Sequence, residues 1–136
     1  MGARVLVVAH KTAATPALLE AVRERAARGP CHFTLLVPRD YWDPDSEAAA
    51  ATVELATPLL DQAAGAHVDA MIGATDAFEA VRTALQEGDF DEVLISTLPQ
   101  RVSHWLHRDL PSRVGQLGVP VSVVTAADRR PPQSVG

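Results

Sequence analysis

An open α/β domain, with a five-stranded parallel sheet covered by helices on both faces, is what this sequence predicts, and three observations carry it. Five short aliphatic or β-branched runs recur at regular intervals along the 136 residues. The first, second, fourth and fifth are nearly continuously apolar, as strands buried on both faces are. The segments between them carry helix start and stop signals at lengths of roughly 10 to 18 residues, which makes right-handed crossover units. An antiparallel sandwich has no use for such connections.

Taken in order, Arg4-Val5-Leu6-Val7-Val8-Ala9 is the first strand. Thr15 then caps a helix with Pro16 at its first position, and Leu18, Leu19, Val22 and Ala26 share one face before Gly29-Pro30 stops it. His32 to Val37 is the second strand, and Tyr41-Trp42-Asp43-Pro44-Asp45 the loop that leaves it. Residues 47–64 form an alanine-rich helix containing Val53, Leu55, Leu59 and Leu60 and ending at Gly65, with Pro58 expected to kink it or end its first part. His67 to Ile72 alternates in polarity, which suggests an edge strand. Asp76 and Glu79 are spaced as a capping box, ahead of a third helix with Phe78, Val81 and Leu85 as its buried stripe and Gly88 as its end. Glu92 to Ser96 is the fourth strand. Asp109, before Leu110-Pro111, is placed to cap a last helix, and Val119 to Val124 is the fifth strand.

Composition narrows the function classes. Apolar residues are 47% of the chain and charged residues 21%, the balance of a folded globular protein. Residues 1–127 are expected to form one domain and residues 128–136 a solvated tail, in which Asp128-Arg129-Arg130-Pro131-Pro132 follows the last apolar run. The net charge is -5, with twelve basic residues scattered among seventeen acids, so nucleic acid is not an expected partner. No apolar stretch approaches the ~20 residues a membrane-spanning helix needs. A single cysteine, Cys31, permits no intramolecular disulfide, and the first residues run into a strand-like segment with no leader pattern; a cytoplasmic protein is expected.

The order of strands and helices, the Gly73-Ala74-Thr75-Asp76 turn after the third strand, and Asp91-Glu92-Val93-Leu94-Ile95-Ser96-Thr97 together resemble the universal stress protein family, over about Arg4 to Thr125. The resemblance implies the doubly wound, adenine-nucleotide alpha-hydrolase-like fold with sheet order 3-2-1-4-5. It also implies a ligand cleft at the carboxyl ends of the first and fourth strands, where the sheet reverses direction. Nucleotide-binding members carry a Gly-x2-Gly-x9-Gly-Ser/Thr loop after the fourth strand. Laid on this chain, its glycines fall on Ser96, Pro99 and Asp109 and its hydroxyl residue on Leu110, so none of the four matches. Proline has no amide hydrogen to give a phosphate, and Asp109 brings a negative charge where phosphate charge would sit. After the first strand the family's acidic residue is replaced by Ala9-His10-Lys11-Thr12. ATP, or another nucleotide held in the usual way, is therefore a disfavoured cofactor.

The candidate cleft is lined by Ala9, His10, Lys11 and Thr12 on the first strand's exit, by Val37 and Gly73 at the ends of the second and third strands, and by Ser96 and Thr97 on the fourth. Arg101 and Ser103 follow and are candidates to face the same space. His10 and Lys11 beside a helix start, with Arg101, would suit a small anionic ligand, whereas a capped and solvated turn is the plain alternative. His104 and His107 have helical spacing but no visible third ligand, so no metal is expected. Val102, Trp105, Leu106 and Leu110 read as the buried side of a segment replacing the glycine loop. Ser96 and Ser103 lack the small-residue elbow of a nucleophilic serine, and Cys31 reads as a small apolar residue, so no catalytic residue is assigned.

The fifth strand would be an exposed apolar edge, and family members commonly dimerise through it; a homodimer through Val119–Val124 is expected. Pro120 at its start leaves the later residues able to pair. Three functions follow in descending order: a non-enzymatic stress-protein-like binding module, a nucleotide-binding stress protein in which Lys11, Arg101 and Ser103 replace the glycine amides, and an enzyme acting on a small acid.

Overall fold

The computed structural model describes residues 2–39, 46–98, 105 and 109–125. Its elements alternate as β1 (Ala3–Val8), α1 (Pro16–Ala27), β2 (Cys31–Pro38), α2 (Glu47–Ala64), β3 (Asp69–Gly73), α3 (Ala77–Glu87), β4 (Glu92–Thr97), α4 (Leu110–Gly115) and β5 (Val121–Thr125). All four strand pairings are parallel, and the sheet order is β3-β2-β1-β4-β5. That is the doubly wound order expected. Among the described residues no helix is long and apolar enough to cross a membrane.

The apolar runs account for the layering. On one face Val5, Val7, Leu35, Val37 and Leu94 pack with Leu18 and Val22 of α1 and Ala56 and Leu60 of α2. On the other, Leu6, Val8, Leu36, Val93 and Ile95 pack with Ala80, Val81 and Ala84 of α3 and Leu110 and Val114 of α4. Alternate residues of the central strands thus serve opposite cores, and a strand used twice has no polar side. β3 and β5 are the edges, and both leave side chains exposed.

Helix starts follow the capping signals except at α4. Thr15 Oγ1 accepts from Leu18 N at 3.5 Å, and Asp76 Oδ1 accepts from Phe78 N at 2.9 Å and Glu79 N at 3.4 Å. The Glu79 carboxylate is engaged by Arg82 one turn on. Asp109 does not cap α4: its φ of 59° is left-handed, which turns the carboxylate away from the first helical amides. Pro58 does not divide α2, which runs unbroken through it. The carbonyl it deprives of an amide belongs to Glu54, an exposed residue that water can serve, and Thr57 Oγ1 donates to Val53 O at 2.6 Å beside it. At the far end Gly65 takes φ 74°, a conformation open to glycine, and Asp61 Oδ1 accepts from Val68 N at 2.8 Å to lead the chain into β3.

Cross-element ties are few and specific. Arg25 of α1 binds Glu92 of β4 through two bonds of 3.0 Å. Arg4 and Asp91 exchange bonds, with Arg4 N on Asp91 Oδ2 at 2.7 Å and Asp91 N on Arg4 O at 2.8 Å. The Tyr41–Asp45 loop and the 128–136 tail lie outside the described residues.

Candidate functional site

β1 is the pivot of the sheet. The chain leaves it toward α1 on one face, whereas from β4 the sheet continues to α4 on the other, so the carboxyl ends of β1 and β4 are where the two connections part. Residues 10–15 make the exit from β1, and local bonds define the turn. Ala13 N donates to His10 O at 3.1 Å, and Thr12 O accepts from both Thr15 N (3.2 Å) and Thr15 Oγ1 (2.9 Å). Thr15, already the α1 cap, thereby ties the turn to the helix start.

This turn aims the Thr12 side chain at β4. Thr12 Oγ1 and Ser96 Oγ are 2.6 Å apart and hydrogen-bonded, across 84 residues of sequence. Thr12 is 2% exposed and Ser96 1%, and Ala9 and Ala13 beside them are equally closed to solvent. Ser96 shares the α1/α2 face of β4 with Leu94; Thr97, the next residue, points with Ile95 toward α3 and α4. Thr97 is 2% exposed, and among the described residues its hydroxyl has no hydrogen-bond partner.

The other expected residues disperse around this pair. His10 is half-buried, with Nδ1 3.3 Å from Thr52 Oγ1 of α2, and Lys11 is exposed at the rim. Val37 is fully buried under α1 and α2. Gly73 stands at the end of β3, three strands from β4 and so roughly 14 Å away. Its small size serves packing: a Cβ there would lie 2.6 Å from Ala80 Cβ and 3.0 Å from Leu36 Cδ1. Arg101 and Ser103, like His104 and His107, lie outside the described residues. Two residues not anticipated join the carboxyl edge. Thr52 does so on the buried-side margin of α2, and Arg39 does so by donating both N (3.3 Å) and Nε (3.2 Å) to Gly73 O. A basic residue just past a strand end was a readable signal for Arg39; nothing local singles out Thr52.

Chemically, the centre of the site is a hydroxyl pair. Neither oxygen is a base, and a nucleophilic serine needs one within hydrogen-bond reach. Ser96 spends its contact on Thr12, and the His10 imidazole faces Thr52. The arrangement closes space and presents Lys11 as a rim charge.

No protein-family model matches the sequence, and no curated protein matches it by sequence. Solved structures do match in fold. A universal stress protein in complex with cAMP is 16% identical, with a TM-score of 0.66 over 93% of this chain and 98% of that one. A universal stress protein from Archaeoglobus fulgidus is 16% identical, with a TM-score of 0.64 over 91% and 94% of the two chains. The Archaeoglobus fulgidus universal stress protein in complex with dAMP is 15% identical, with a TM-score of 0.58 over 91% and 98%. The fold of this chain is the universal-stress-protein fold.

Proposed function

We propose that this protein is a non-enzymatic, cytoplasmic binding module of the universal-stress-protein type, regulating through a partner or a small ligand and without conventional ATP binding. One observation carries this reading: the Thr12–Ser96 bond of 2.6 Å, buried at the point where a doubly wound sheet receives its ligand. A hydroxyl clasp occupies the place where a phosphate-gripping backbone would have to open. Pro99, Asp109 and Leu110, in place of the loop's glycines and hydroxyl, point the same way. Cys31 as a free thiol suits a reducing compartment.

Self-association through β5 belongs to the same proposal. Its exposed residues include Ser122 and Val123, and Val123 is 43% exposed on a strand without a charged side chain. The opposite edge, β3, carries Asp69, whose carboxylate lies 3.2 Å from His32 and 3.3 Å from His67, and an acidic side chain on an edge strand resists pairing. A homodimer through β5 follows.

A second reading has its own support. Structures of this fold hold cAMP and dAMP, which suits a nucleotide-binding protein in which Lys11, Arg101 and Ser103 stand in for the glycine amides. Thermal shift with ATP, AMP and cAMP separates the two. Saturation at 100 times a dissociation constant adds about 2.7 kcal/mol of stability. The first reading expects no shift with any of them, and a saturable shift replaces it with the second.

A further inference from the structure

We infer that the Thr12–Ser96 pair is an autoinhibitory clasp: closed, it keeps a nucleoside monophosphate out of the notch between β1 and β4, and opening it admits one. This rests on the proposed loss of conventional nucleotide binding and says what enforces that loss.

The surroundings argue that the pair is more than packing. Ala9, Ala13 and Leu94 make the neighbouring core apolar, and an apolar pair of similar shape would fill the position without desolvating two hydroxyls. The pair contains two hydroxyl hydrogens and, among the described residues, makes only the bond between its own oxygens. One hydroxyl donor of the pair is therefore unused among the described residues. Hydrogen-bonding capacity held in reserve at a strand's carboxyl end is what a polar ligand would take up. Thr12 sits on the exit turn and not within β1. Rotation about its χ1 is enough to break the bond, with the sheet register left intact. The ligand class follows from the charge at the rim: among the described residues Lys11 offers one cation there, which suits a single phosphate better than a triphosphate.

The test is calorimetric titration of AMP into the full chain and its variants. Thr12→Val keeps the side-chain shape and removes the hydroxyl, and Ser96→Ala removes the other half. Each is expected to bind AMP at least tenfold more tightly than the unsubstituted protein. Either suffices if the other fails to fold. Val22→Ala, a core substitution in α1 away from the clasp, controls for general loosening and is expected to leave AMP binding unchanged. The clasp is overturned if Thr12→Val and Ser96→Ala gain nothing, or if Val22→Ala gains as much. If neither the unsubstituted protein nor any variant binds AMP, only the clasp falls and the proposed function stands. If the unsubstituted protein already binds as tightly as the variants, both fall. A tenfold gain over measurable binding in the unsubstituted protein keeps the clasp and moves the function to the nucleotide-binding reading.

Discussion

Asp76 shows how much a single side chain contributes. Its carboxylate satisfies two amides of the first turn of α3, so Asp76→Ala should cost about 1 kcal/mol in urea unfolding. Gly73 makes the opposite point. With Ala80 Cβ 2.6 Å from the position of an added Cβ, Gly73→Ala overpacks the β3–α3 contact and should lose roughly 1 to 3 kcal/mol. Arg25 links residue chemistry to pH: its pKa is raised, chiefly by the bond to Glu92, so its stabilisation is present below its unfolded pKa and is lost only as pH rises through the still higher folded value. Arg25→Ala should therefore lower stability by about 1.5 kcal/mol, with the same deficit at about pH 7 and about pH 10. At this scale the caps at Thr15 and Asp76 were legible because a cap is local. Asp109 was not, since the residue type says nothing of the left-handed φ that disables it.

The elements were legible for a different reason. A strand used by two cores has to be apolar throughout, and β1, β2 and β4 announce themselves in that way; β3, with Asp69, Ala70 and Ile72 exposed, announces itself as an edge. α2 is where the local rule failed. Pro58 costs one backbone bond at a solvent-facing turn, and burial of Ala49, Ala56, Leu60 and Ala63 along the helix outweighs it. Pro58→Ala should then raise the melting temperature, the gain being bounded by the ~3 kcal/mol that separates proline from alanine in a helix interior.

Across the whole molecule, the sheet order comes from a resemblance, because alternation of strands and helices alone leaves several orders open, and the fold has that order. The site was legible only in outline. Ser96 and the His10–Thr12 turn were identified as neighbours across the notch, but the 2.6 Å contact between residues 84 positions apart obeys no spacing rule. Gly73, expected in the cleft, stands at the end of β3, with β2 and β1 between it and β4. If β5 is the interface, Val123→Lys should convert a dimer to a monomer in size-exclusion light scattering, with the monomer still folded by circular dichroism. A protein that is monomeric before substitution would remove the β5 proposal.

The notch itself is best interrogated by backbone-amide NMR during titration with ATP. A closed hydroxyl pair leaves the resonances of Lys11, Thr12, Ser96 and Thr97 in place at concentrations up to about 1 mM, where a matching dissociation constant would be worth only about 4 kcal/mol. Saturable movement of those four resonances together would contradict it.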